Sequence, residues 1–168
     1  TPAMLRPLDT VVVDLQDLGA RPYTYLSTLR YLLEEAARHG KEVIVADRPI
    51  PLPRVVDGPV LDSRFESFVA SVPMPVSYGM TPGETARWIQ SHLVPNSDLK
   101  VAPLRGYRRD PARQPDWPPW IPPSPGIRSW ESAACYTATV FCEALPGVDY
   151  GRGTGLPFQL IGAPWMRS

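Results

Sequence analysis

The residue types that most often carry chemistry by themselves are scarce in this chain. Its 168 residues include two cysteines and two histidines. Cys135 and Cys142 fall in one expected helix, about 10 Å apart along its axis at ~1.5 Å per residue. A disulfide needs α-carbons within about 7 Å, so they cannot bridge each other, and packing thiols are expected. His39 and His92 both fall at expected helix ends, where their job is terminal charge. No Ser/His/Asp constellation, metal-ligand spacing or internal repeat is present. Seventeen basic residues balance seventeen acidic ones, which leaves no electrostatic footprint for nucleic acid or an anionic membrane surface. No apolar run is long enough for a membrane span. The Gly151-Arg152-Gly153-Thr154-Gly155 run lacks the Lys-Ser/Thr ending of a phosphate loop and the third glycine of the dinucleotide fingerprint. No metal or cofactor is expected, and the chemistry is left to carboxylates.

The organising stretch runs from Thr10 to Pro49. Val11, Val12 and Val13 form a β-branched run suited to a buried parallel strand. Asp14, Gln16, Asp17 and Arg21 crowd the turn after it. Leu26, Leu29, Leu32, Leu33 and Ala36 then recur at helical spacing, with Arg38 and His39 in the last turn and Gly40 as the residue beyond the cap. Val43, Ile44 and Val45 make a second strand, closed by Asp47-Arg48-Pro49. In open α/β sheets ligands bind beyond the carboxyl ends of the strands, where both polar clusters lie. Asp47 either belongs to that site or forms an ion pair with Arg21 or Arg48. Asp14 is expected to hold its loop by accepting backbone N–H groups.

Elsewhere, Pro2 to Leu5 ends a helix, 50–53 is a stiff linker, and 55–59 is a turn beside the sheet. Residues 63–70 suggest a short helix with Phe65, Phe68 and Val69 inward. Pro75 to Tyr78 suggests a third strand and Asp98 to Leu104 a fourth. Between these two, Thr81, Pro82 and Glu84 form a capping box opening a helix to about Leu93, a role preferred to catalysis for Glu84. The 22 prolines cluster, and residues 111–125 hold too many for any regular element. Trp117 and Trp120 either anchor that loop, the favoured reading, or offer a face to a sugar ring. Ser129 can cap a helix to about Ala144, with Ala133, Thr137, Val140, Phe141 and Ala144 on one face. Residues 157–161 are a weak strand. Arg152, on a backbone bent by glycines, can bind a carboxylate bidentately or simply sit in a turn. The fold class is α/β: an open, mostly parallel sheet with flanking helices, in a chain whose length suits one domain. Both ends read as cut, so a longer protein is expected.

Taken in order, DLQDLGARPYTYLSTL, Asp47-Arg48-Pro49, YGMTPGE at 78–84, WIPPSP at 120–125 and GRGT…PFQLIGAPW resemble the NamZ-type exo-β-N-acetylmuramidase family end to end. Two departures stand out: Asp149-Tyr150 where the family more often has Ser-Glu, and Gly126 where Asn is usual. The resemblance implies a glycosidase that releases N-acetylmuramic acid from non-reducing ends of peptidoglycan fragments, extracellular or periplasmic. It also implies a Rossmann-like domain whose C-terminal part is 1–110, a connecting loop 111–128 and the start of a smaller C-terminal α/β domain at 129–168, with a catalytic glutamate upstream of Thr1. Glycoside hydrolysis normally uses two carboxyl groups. Asp17 and Glu143 are the candidate catalytic residues of this chain. Asp14, Gln16, Arg21, Tyr23, Tyr25, Asp47, Arg48, Arg152 and Thr154 are the candidate substrate contacts, expected to converge on one cleft with a muropeptide or disaccharide as partner. Two rivals remain open: a non-catalytic sugar-binding module on the same fold, and a different hydrolase such as a phosphatase or esterase.

Overall fold

A computed structural model describes residues 2–110 and 119–167. After a short helix α1 (Pro2–Leu5), strand β1 (Thr10–Val13) leads to helix α2 (Tyr25–Arg38) and strand β2 (Glu42–Ala46). Helix α3 (Pro82–His92), strand β3 (Asp98–Ala102) and helix α4 (Trp130–Thr139) follow. The strands form one parallel sheet in the order β1-β2-β3, with Val13 opposite Val45 and Val45 opposite Val101. The strand–helix–strand unit and the parallel α/β class are those expected from the sequence.

Alternation along the strands sorts the sheet into two faces. Val13, Val43, Val45, Leu99 and Val101 point toward α2 and α3 and join Leu26, Leu29, Leu33, Ala36 and Ile89 in one aliphatic core. On the other face Val12 is 65% exposed, and Lys100 pairs with Glu42. α2 ends as its sequence requires: Gly40 takes φ 60° just beyond the cap, a conformation glycine enters without a Cβ penalty. α3 opens with the full capping box, Thr81 accepting from Glu84 N while Glu84 accepts from Thr81 N.

Four expected elements differ. Residues 75–78 do not form a strand; Ser77 makes isolated bridges to Ala20 and Asp57. Pro73 and Pro75 remove the N–H groups a ladder would need. The expected helix at 63–70 is one 3-10 turn, Ser63–Phe65. Phe65 is 70% exposed, and Phe68 and Val69 also face outward, because so short a segment has no core under it to hold a helix. Phe68 stacks on Tyr31 instead, with ring centres 6.1 Å apart. The helix from Ser129 stays α-helical only to Thr139, then tightens to a 3-10 turn, Val140–Ala144. Three residues per turn replace 3.6, which moves Cys142 inward and leaves Phe141 and Ala144 exposed. The inner face keeps the expected Ala133 and Val140 but adds Ser132, Tyr136 and Thr139 in place of Thr137, Phe141 and Ala144. The tail at 157–161 forms turns, with a bridge only between Asp149 and Gly162.

A second buried cluster joins the β1–α2 loop to the C-terminal third of the chain. Leu18, Ala20 and Tyr23 meet Ile127, Ala133, Tyr136, Val140, Tyr150 and Phe158. Trp120 packs against it and meets Trp130 edge-on at 5.3 Å, an anchoring contact. Trp117 lies outside the described residues.

Candidate functional site

The carboxyl edge of the sheet carries the expected polar clusters, and their side chains largely satisfy each other. Asp14 is bound bidentately by Arg48, at 2.7 and 2.8 Å. That guanidinium holds the Asp14 carboxyl below its ordinary range. Asp14 therefore secures its loop through an arginine and not through backbone N–H groups. Asp47 pairs with neither Arg21 nor the Arg48 side chain. It accepts from Gly83 N at 2.8 Å, Thr81 Oγ1 at 3.0 Å and Arg48 N at 3.0 Å, and so completes the start of α3. A Cβ on Gly83 would lie 2.8 Å from the Asp47 carboxyl carbon, which explains the glycine after Pro82.

Other candidate contacts have most of their polar groups committed, although Arg21 Nε is buried without a hydrogen-bond partner among the described residues. Gln16 donates to Pro49 O at 2.8 Å and Asp17 O at 3.1 Å, tying the two post-strand loops together. Arg21 is buried, its guanidinium donating to Pro59 O and Met74 O. Tyr25 donates to Pro123 O at 2.9 Å. Tyr23 sits in the aromatic cluster, 5.6 Å edge-on from Tyr136. Thr154 uses its hydroxyl inside its own loop, donating to Gly151 O at 2.7 Å and accepting from Leu156 N at 3.0 Å.

Asp17 is 4% exposed and accepts from the Tyr78 phenol; its Oδ1 has no hydrogen-bond partner among the described residues. Burial is the main reason its carboxyl is pushed up to about 6, against the lowering effect of Tyr78 and the Leu18 and Gly19 amides. A carboxyl so enclosed ties the β1–α2 loop to the 75–78 segment through Tyr78.

The open chemistry lies one layer away. Ser124, Arg128, Glu143, Tyr150, Arg152 and Phe158 are among the residues that line a cavity of about 400 Å³. Glu143 stands on the 3-10 turn after α4, and Arg152 on a loop that Gly151 turns at φ 80°. A Cβ on Gly151 would lie 2.3 Å from Leu156 O, so only glycine permits this approach. Between Glu143 and Arg152 lies Tyr150, 8% exposed, with its ring stacked on Phe158 at 5.0 Å. Burial and Glu143 push the Tyr150 phenol up while Arg152 pulls it down. Asp149 gives an oxygen to Gly151 N at 2.6 Å and forms no ion pair with Arg152. Asp17 and Glu143 both act on the Tyr136 phenol, whose proton affinity is raised chiefly by burial. Of the two carboxylates, Glu143 lines this cavity and Asp17 does not.

This arrangement can bind an anionic, hydroxyl-rich ligand against an aromatic floor, with one accessible carboxylate for proton transfer. The family profile for the N-terminal part of the exo-β-N-acetylmuramidase NamZ matches residues 1–131, and that for its C-terminal part matches residues 134–168. The chain belongs to the NamZ exo-β-N-acetylmuramidase family. It is 37% identical over 169 residues to the peptidoglycan β-N-acetylmuramidase NamZ of Bacillus subtilis (strain 168), covering 100% of this chain and 41% of that protein. Two crystal structures of DUF1343 family proteins from Bacteroides fragilis NCTC 9343 share the fold. One has a TM-score of 0.88 at 35% identity, over 100% of this chain and 47% of the other. The second has a TM-score of 0.89 at 34% identity, over 99% and 44%. The chain therefore spans less than half the length of these NamZ-family and structural relatives.

The cavity of this NamZ-family chain contains residues the sequence did not single out. Tyr150, Arg128, Ser124 and Phe158 were missed as site residues, although Tyr150 directly precedes the glycine–arginine loop and Ser124 lies inside the proline-rich motif. Phe158 alone among the described non-glycine residues has positive φ, 62°. Its backbone is held by Phe158 N donating to Tyr150 O at 2.7 Å and by Thr139 Oγ1 donating to Phe158 O at 3.0 Å. Strained residues held in this way cluster at functional sites. Among the described residues, no group of three or more His, Cys, Asp or Glu side chains could hold a metal ion, and no helix is long and apolar enough to cross a membrane.

Proposed function

We propose that the protein is a glycosidase releasing N-acetylmuramic acid from the non-reducing ends of peptidoglycan fragments, with Arg152 reading the sugar's lactyl carboxylate. The observation that carries this reading is the pairing of Glu143 and Arg152 on one cavity, separated by a buried Tyr150. The lactyl group is the charged feature that distinguishes N-acetylmuramic acid from N-acetylglucosamine, and a guanidinium fork fits a carboxylate through two hydrogen bonds. Glu143 is the catalytic carboxyl that this chain contributes, placed to give or take a proton at the glycosidic oxygen. A two-carboxyl mechanism needs a second group about 5–5.5 Å away for retention or about 6.5–9.5 Å for inversion. The enclosed Asp17 is not that group.

The test is Arg152→Ala assayed on a chromogenic β-N-acetylmuraminide and on the matching glucosaminide. Loss of a hydrogen bond to a charged group should weaken the muraminide by about 1.5–3 kcal/mol and leave the glucosaminide nearly unchanged. Equal losses on both substrates, or a drop in melting temperature that accounts for the lost activity, would make Arg152 a loop-shaping residue.

A non-catalytic sugar-binding module is the second reading. Among the described residues Glu143 is the single carboxylate lining the cavity, which is enough for recognition but short of the usual catalytic pair. Glu143→Gln separates the two: loss of turnover with retained sugar binding supports the glycosidase, whereas sugar binding without any turnover in the unaltered protein supports the module.

A further inference from the structure

Arg21 is 9% exposed, and its guanidinium is engaged on one side only. Nη1 donates to Pro59 O at 2.9 Å and to Met74 O. Among the described residues Nε is buried without a partner, and Nη2 makes no hydrogen bond either. That Nε–Nη2 edge is the one with which Arg48 grips both oxygens of Asp14. Arg21 has no such carboxylate. Among the described residues it enters no ion pair, and burial lowers its proton affinity. Native structures seldom leave a buried polar group in this state. Arg21 lines a cavity of about 430 Å³ between the 57–59 and 76–77 segments and α4, within the roughly 300–1,000 Å³ usual for small-molecule sites. Its walls are braced: Asp57 and Ser77 exchange backbone hydrogen bonds of 3.0 and 2.9 Å, and Arg21 N donates to Val76 O at 2.7 Å. Asp57 lines the same cavity, exposed and likewise in no ion pair among the described residues. Phe141, on the 3-10 turn after α4 and 51% exposed, adds apolar surface there with Val76.

We infer that this cavity binds a free α-amino acid with an apolar side chain. Its carboxylate meets the Nε–Nη2 edge of Arg21, its ammonium meets Asp57, and its side chain lies against Phe141 and Val76. A simple anion is repelled by Asp57 and a simple cation by Arg21, whereas a zwitterion pairs with both. Because both charges line one cavity of this size, the ligand's two charges must sit close together, as they do on a single α-carbon. A guanidinium fork matches a carboxylate through two hydrogen bonds. Two carbonyls already hold Arg21 in place, so little side-chain ordering remains to oppose binding. Among the described residues none lines both this cavity and that of Glu143, and the inference does not depend on the glycosidase reading.

The experiment titrates the protein by calorimetry with L-leucine, with 4-methylpentanoate, which lacks the ammonium, and with 3-methylbutylamine, which lacks the carboxylate. Leucine should bind, and each analogue should bind about tenfold or more weakly. Arg21 also anchors two carbonyls, so the substitutions fall on the exposed Asp57 and Phe141 instead. Asp57→Asn keeps an oxygen to accept from Gly58 N. It should weaken leucine about tenfold, while 4-methylpentanoate, relieved of a nearby negative charge, binds no worse. Phe141→Ala should weaken leucine about threefold or more through lost apolar contact. No leucine binding at about 10 mM, or 4-methylpentanoate binding as tightly as leucine, would overturn the inference. Leucine affinity left unchanged by either substitution would overturn it too. Every outcome is read from binding alone, so none is confused with success or failure of muraminide turnover.

Discussion

The two buried clusters are built from different material. The first, under the sheet, is mainly aliphatic: Val13, Leu26, Leu29, Leu33, Val43, Val45 and Ile89. The second, between the β1–α2 loop and α4, is largely aromatic, with Tyr23, Tyr136, Tyr150 and Phe158 in a chain of ring contacts between 4.9 and 5.6 Å. Strands and helices satisfy their own backbone groups, so the first cluster needs only apolar shape. Loops do not, and the segments around the cavity must pack while leaving polar groups near a ligand. Tyrosine does both, with an apolar ring and a polar tip. The charged groups follow the same division. Asp14, Asp47 and Glu84 near the sheet are taken up by Arg48, the α3 start and the capping box, whereas Glu143 and Arg152 face open space.

The contrast can be broken most forcefully from the aliphatic side. Leu33 is fully buried in the aliphatic cluster, and Leu33→Ala should cost about 2–5 kcal/mol through lost burial and a residual cavity. Chemical denaturation should show it as a fall in midpoint without a change in slope. A loss under about 1 kcal/mol would mean the first cluster is looser than its packing implies.

Asp17, at the junction of the two clusters, sharpens the comparison through pH. Its folded carboxyl is raised from 3.8 to about 6. The protonated form is therefore favoured by folding, a stabilisation fully present below about pH 4 and lost as pH rises through about 6. The shift is worth about 3 kcal/mol at ~1.4 kcal/mol per unit. Tyr78, Tyr23 and Tyr136 are the titratable groups acting with Asp17, and as neutral phenols they do not ionise in that window. Asp17→Asn should match the unaltered protein at pH 4 and be the more stable of the two at pH 8. Thermal melts across that range giving parallel curves would show that Asp17 ionises freely.

The smallest effect belongs to the rim. Asp14→Asn removes a half-exposed ion pair with Arg48, so stability should fall by only about 0–1 kcal/mol, and less at high salt. Sugar affinity at the Arg152 cavity should be unchanged in a titration. A clear loss of affinity would join the strand-edge cluster to the cavity as a single site.

Much of the scaffold was readable from residue order. The valine runs, the leucine spacing of α2 and the Thr81–Glu84 box each encode structure within a few neighbouring residues, where backbone preference and periodicity act. The failures have a common cause. Phe65 and Phe68 have the look of core residues, but no apolar partner comes near enough to bury them. Pro75 to Tyr78 has the composition of a strand but not the amide groups for a ladder. At the site, Arg152 and Glu143 were visible as a glycine-flanked guanidinium and a helix-end carboxylate. Tyr150 and Phe158 were not, because what matters about them is a stacking contact and a left-handed backbone angle.

Asp14, Asp17 and Asp47 are the clearest case. Residue order placed all three after parallel strands, and that placement holds because strand polarity and loop position follow from local pattern. Which of them faces a ligand depends on which donors, from segments tens of residues away, pack against it. Tyr78 encloses Asp17, α3 takes Asp47 and Arg48 takes Asp14. Glu143 and Arg152 are left in the open because the packing of Phe158 and Tyr150 keeps them on a cavity wall. A carboxylate's neighbours set its charge, exposure and use, and for these residues they come from distant parts of the chain that only packing brings together.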